Sequence, residues 1–268
     1  MSLQQALTDL PHDHASQPAA PVPAQALETI RIRLWDLPVR IFHWSLLAAV
    51  GTAIVTGQLG GDWMGVHGKA GLAIVALVAF RLAWGFLGST YARFATFVPT
   101  PGQLRAYLQG RWRGAGHNPL GALSVLALLG LLALQAGTGL FTNDDIAFTG
   151  PLAELVSETL SHQLTNWHHQ LATALYALLV LHVVAIVFHE RIKKDKLVKP
   201  MVTGWKDVAS STPAPRQASA LALLAAVLVA LGVAYGASGG WIGTFEQAQD
   251  RQAPTPSPAK PAAATPAW

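Results

Sequence analysis

Residues 166–190 read NWHHQLATALYALLVLHVVAIVFHE, a long apolar run that carries His168, His169, His182 and His189. A stretch of about 20 apolar residues rising 1.5 Å per residue covers the ~30 Å hydrocarbon layer of a bilayer. An ionisable side chain inside such a stretch is costly unless it has a partner, which makes each of these imidazoles a candidate for function. Helix geometry groups them. At 100° and 1.5 Å per residue, His168 and His182 fall within about 40° of one face and ~21 Å apart along the axis. His169 is turned about 100° from His168. His189 shares the face of His182, ~10.5 Å further along.

Outward from this segment, similar apolar stretches occur at roughly 39–58, 68–88, 119–141 and 217–237, giving five predicted spans with 168–190. The composition agrees: 51% of the 268 residues are hydrophobic and only 12% charged, unlike a soluble domain. Basic residues sort by side. Arg31, Arg33 and Arg40 precede the first span, Arg93, Arg105, Arg111 and Arg113 join the second to the third, and Arg191, Lys193, Lys194, Lys196, Lys199, Lys206 and Arg216 join the fourth to the fifth. The connections at 58–66 and 142–167 hold no Lys or Arg, and the latter carries Asp144, Asp145, Glu154 and Glu158. The positive-inside rule puts the N-terminus in the cytoplasm and the C-terminus outside, as expected of a multi-pass protein of a bacterial inner membrane. The net charge of +4 reflects these loops and implies no nucleic-acid partner. Residues 1–32 and 241–268, rich in Ala and Pro, read as disordered tails, and 208–240 as a segment holding the additional helix.

The chain has no cysteine, which excludes covalent haem attachment through C-x-x-C-H, cysteine-ligated iron–sulfur clusters and disulfides. Whatever chemistry exists must use other ligands, and the chain has ten histidines. His12 and His14 lie in the N-terminal tail; His117 and His162 lie at span ends or in loops, where a solvated or interfacial imidazole is expected. His67 opens the second span at the outer level of His168. His43 enters the first at the inner level of His182. Two cross-helix pairs follow, His67 with His168 and His43 with His182, with His189 the alternative inner ligand. Paired imidazoles on facing helices can hold a haem iron from both sides, leaving no open coordination position and favouring electron transfer over oxygen activation. Gly51, Gly57, Gly68, Gly71 and Ala172 leave room for a flat macrocycle or for close helix packing. Arg81 is placed either to meet a haem propionate or to snorkel to the inner interface. Trp35, Trp44, Trp63, Trp84, Trp112 and Trp167, near span ends, read as an aromatic belt.

The segments WDLPVRIFHW at 35–44, HGKAGLAIVALVAFRLAWGFLG from His67, GHNPLGALSVLALLGLLALQAGTGLF at 116–141, HHQLA at 168–172, LHVVAIVFHE at 181–190 and LVKPMVTGWK at 197–206 together resemble the bacterial cytochrome b561 family. That family includes the cytochrome b subunits of nickel–iron hydrogenases. The resemblance covers about residues 33–207 and implies an all-α, four-helix membrane bundle holding two non-covalent haems b, here followed by a fifth C-terminal transmembrane helix. The family's ligand positions fall on His43, His67, His168 and His182. The resemblance also implies quinone as a redox partner. The expected function is electron transfer between the quinone pool and a dehydrogenase, a hydrogenase or a periplasmic carrier, possible in an oligomer. The acidic outer segment could dock a basic carrier or form a solvated loop with a short helix near 151–162. Alternatives are a stand-alone superoxide:quinone oxidoreductase, a haem-free membrane anchor and a metal transporter; the last is disfavoured by spans almost free of Asp and Glu.

Overall fold

The computed structural model describes residues 29–146 and 148–242. In chain order it holds β1 (Thr29–Arg33), α1 (Leu37–Leu59), α2 (Met64–Leu87), the short α3 (Phe94–Phe97) and α4 (Pro101–Leu108), α5 (Pro119–Gly139), α6 (Glu158–Phe188), α7 (Val198–Thr203), β2 (Trp205–Ala209) and α8 (Ala220–Ala237). Five of these helices, α1, α2, α5, α6 and α8, are long and apolar enough to cross a bilayer. The expected all-α membrane architecture is therefore observed.

Local chemistry sets where the long helices begin. Asp36, Asn118, Ser157 and Ser219 cap α1, α5, α6 and α8 by accepting from the backbone N–H of Val39 (2.8 Å), Gly121 (2.7 Å), Leu160 (3.3 Å) and Ala222 (3.1 Å). Such caps satisfy donors that have no partner within the helix. Pro38 and Pro119 sit in first turns, where a missing N–H costs nothing. Between α1 and α2 the chain reverses at Gly60 and Gly61, whose φ of 64° and 52° suit glycine.

α1 packs on α2, α2 on α5 and α5 on α6, while α6 stands off from α1 and α2. Midway along the bundle, Val50, Ile74, Val78, Leu132 and Leu175 form a buried apolar layer. Leu175 is 4% exposed and lies seven residues from both His168 and His182, so the layer separates the two histidine levels. α8 packs against α2 through Ala226 and Ala230, small residues that let two backbones approach. Much of α6 faces outward, with Val180, Leu181, Val183, Val184 and Val187 all more than half exposed.

At the end carrying the basic loops, β1 pairs antiparallel with β2 from Thr29↔Ala209 to Arg33↔Trp205. Trp35 N–H donates to Gly204 O (3.2 Å), the Arg40 guanidinium to Val202 O (2.5 Å) and Trp44 Nε1 to Met201 O (3.3 Å). This clasp places the start of α1 and the chain after α6 on one side of the bundle, as an even number of crossings requires.

The structure corrects several expectations. Residues 29–32, assigned to the tail, form most of β1; the rest of that tail (1–28), with His12 and His14, and the C-terminal tail from 243 lie outside the described residues. The short helix expected near 151–162 is a 3-10 turn at Ala153–Leu155 followed directly by α6, which starts ten residues before His168. Trp44, Trp63 and Trp167 are exposed, but Trp35 and Trp84 are buried and belong to the core. Trp84 is turned inward because its Nε1 donates to the buried Asp36 carboxylate at 3.0 Å.

Candidate functional site

His67 stands in the first turn of α2 and His168 on α6, both towards the end of the bundle with acidic loops. Their ring centroids are 6.2 Å apart and their planes are inclined at 82°. Nδ1 of His67 lies 2.8 Å from the carbonyl oxygen of Ala53 on α1, and Nδ1 of His168 lies 2.9 Å from that of Gln135 on α5. A carbonyl oxygen only accepts, so each Nδ1 carries the proton and each Nε2 keeps its lone pair. Metal-ligating histidines are oriented in this way, by an outer hydrogen bond from the nitrogen that does not bind. With metal–nitrogen bonds of about 2 Å, two imidazoles sharing one metal hold their ring centroids roughly 6 Å apart, close to the spacing observed. The Gln135 side-chain amide, 3.0 Å from His168 Nε2, supplies the hydrogen bond that a ligand would replace.

Two glycines seat these rings. A Cβ at Gly57 would lie 3.0 Å from His67 Nδ1, and one at Gly139 would lie 2.9 Å from His168 Cε1. The crevice between the helices is apolar and is lined by both histidines and by Ala53, Gly71, Ala136 and Ala172.

His43 on α1 and His182 on α6 occupy the opposite, basic end, within electrostatic reach of one another. His182 Nδ1 lies 3.4 Å from Ser124 Oγ on α5. His43 Nδ1 is buried with no hydrogen-bond partner among the described residues. The structure thus brings His67 and His168 face to face, while His43 and His182 share the opposite end at a common depth, each six residues from the end of its helix. His189 stands apart from both: Nδ1 is 3.0 Å from Asp195 Oδ2 and Nε2 is 3.5 Å from the Tyr107 hydroxyl, so both ring nitrogens are engaged elsewhere. His169 is exposed on α6, and His162 is solvated beside Asp145 and Glu158.

Residues 34–204 match the prokaryotic cytochrome b561 family. The chain belongs to that family. Among curated relatives, this cytochrome is 22% identical over 212 residues to a probable Ni/Fe-hydrogenase 1 B-type cytochrome subunit of Escherichia coli (strain K12), covering 65% of this chain and 89% of the relative. It is 23% identical over 223 residues to a probable Ni/Fe-hydrogenase B-type cytochrome subunit of Azotobacter vinelandii, covering 68% and 91%. A third such subunit, from Rhodobacter capsulatus, is 22% identical over 224 residues. No solved structure matches. Membership makes the protein a membrane cytochrome b with a role in electron transfer and haem b as its cofactor. The matched region ends before α8.

Beneath the inner histidine pair the cytochrome has a polar floor that sequence reasoning missed. Asp36, 5% exposed, accepts from Val39 N–H, Trp84 Nε1 and Ser89 Oγ (2.5 Å). His117, expected to be solvated, instead lies between Trp35 and Phe97 at centroid distances of 4.6 and 4.8 Å. Burial first, then the Arg81 and Lys206 cations, push its imidazole down to about 3. Arg81 is 3% exposed, so it does not snorkel. Gln135 and Ser124 had one legible signal, a polar side chain inside an apolar span.

Proposed function

We propose that this cytochrome holds two haems b, one between His67 and His168 and one between His43 and His182. It would carry electrons between the quinone pool and a redox partner protein. The observation that carries this reading is the outer pair: two facing imidazoles, each with Nδ1–H tied to a backbone carbonyl and Nε2 directed to a shared crevice. For the inner pair, support comes from the mutual reach of His43 and His182 and from the engagement of both His189 nitrogens elsewhere. Haem b between two imidazoles supplies a one-electron couple with no position open for substrate.

The chain's own residues do the rest. Ala53 and Gln135 fix the ring orientations, Gly57 and Gly139 leave room for the rings, and the Leu175 layer keeps the space between the two levels dry. The basic loops favour placing the His43/His182 level and the β1–β2 clasp on the cytoplasmic side. The names of the relatives favour a hydrogenase as the partner.

The test is to purify the chain in detergent from haem-replete cells, count haem per protein and record a reduced-minus-oxidised spectrum. Two b-type haems are expected, with His67→Ala or His168→Ala removing one and sparing the other. Addition of quinol should reduce the bound haem. A folded chain without haem would defeat the reading, and two haems that no quinol reduces would defeat its quinone half.

A further inference from the structure

α2 repeats the spacing of α6. The interval of 14 residues that separates His168 from His182 on α6 leads from His67 to Arg81 on α2. Such an interval returns to within about 40° of one helix face. Arg81 therefore stands on the histidine-bearing side of α2, which also carries Ile74 and Val78 of the central layer. Its depth matches too. Arg81 is six residues from the end of α2 at Leu87, as His43 is six from Leu37 and His182 six from Phe188. Where α6 places its second ligand, α2 places a cation.

That cation forms no direct ion pair among the described residues. The guanidinium lies 5.0 Å from the Phe94 ring centroid and 5.7 Å from that of Phe97. Facing it are Asp36 from the start of α1 and His117 from the approach to α5. The Asp36 carboxylate is already taken by three donors, and no ion pair within 4.0 Å joins it to Arg81 among the described residues. His117 is neutral, and its Nδ1 is buried without a partner. NH1 of Arg81 is buried and makes no hydrogen bond. A guanidinium buried at membrane depth without a direct ion pair is costly, and its planar fork matches a carboxylate.

We propose that Arg81 binds a propionate carboxylate of the haem held by His43 and His182, and that its charge raises the potential of that haem alone. The inference rests on the two-haem reading above. A positive charge favours the reduced form. At an effective dielectric of ~20, a unit charge about 10 Å from the iron shifts the one-electron equilibrium roughly tenfold, about 59 mV.

The experiment is potentiometric titration of the purified full-length chain as wild type, Arg81→Gln and Arg81→Lys, with the haem:protein ratio measured in each. His43→Ala identifies the bands of the inner haem. Arg81→Gln should lower the inner midpoint by about 59 mV, leave the outer one in place, and be largely rescued by Arg81→Lys. Loss of the inner haem in Arg81→Gln with retention in Arg81→Lys would equally support a need for the charge. An unshifted inner potential in Arg81→Gln, equal shifts of both haems, or equal defects in Gln and Lys variants would overturn it. A wild-type chain binding a single haem would instead defeat the two-haem reading.

Discussion

On the proposed two-haem arrangement, Gly139→Ala should weaken the haem at His67/His168 and spare the other. The added Cβ would lie 2.9 Å from His168 Cε1, whereas ordinary contact begins near 3.4 Å. The ring must therefore retreat by about 0.5 Å, which stretches its 2.9 Å Nδ1–H bond to the Gln135 carbonyl towards the limit of hydrogen bonding. Overpacking of this kind costs about 1–3 kcal/mol. A ring at the end of a side chain yields more easily than backbone, so the lower half applies, ~1.5 kcal/mol or roughly tenfold in affinity. Alanine is also the better helix former, by up to about 1 kcal/mol, so the fold itself should not weaken. The assay is the rate of haem transfer from the solubilised cytochrome to an excess of apo-globin, followed separately for the two haems. Wild-type release from the outer site, or equal acceleration at both sites, would refute the claim that Gly139 exists to seat His168.

Further outcomes follow from the polar floor and the unused histidine. Asp36→Ala removes a cap and strands the Trp84 and Ser89 donors, and should cost about 3–5 kcal/mol, visible as a lowered thermal midpoint by tryptophan fluorescence. His117 is held neutral in the fold but titrates near 6.5 when unfolded, so wild-type stability should fall as pH drops from about 6.5 towards 3, by up to about 1.4 kcal/mol per unit. His117→Phe should flatten that slope in acid unfolding curves. His189→Ala should keep both haems while His182→Ala loses one; the reverse pattern in haem counts would exchange their roles.

The spans were legible because hydropathy and length report on the bilayer directly, and the histidine pairing because a 14-residue interval and the loop charges together fix face and depth. What stayed hidden lacked a chemical signature. Ala53 and Gln135 orient the His67 and His168 rings through carbonyls, which every residue possesses. Gly139 looks like any glycine in an apolar helix. Trp35 and Trp84 have the composition of belt residues, and only their contacts with His117 and Asp36 reveal an inward orientation. The first ten residues of α6, ETLSHQLTNW, are too polar to read as part of a span, so the helix was expected to start later than it does. The strand at 29–33 could not be seen without its partner at 205–209.

That strand pair also bears on how the protein is made. Its halves are about 170 residues apart, so at some 5–20 residues per second the first strand waits roughly 10–35 s for the second to be synthesised. The ladder can close only after four helices have entered the membrane with both strands left on the same side. A chain that inserts one helix too few leaves the strands on opposite sides, each with an open edge. The clasp thus works as a count of completed crossings, taken just before α8 emerges to cover α2.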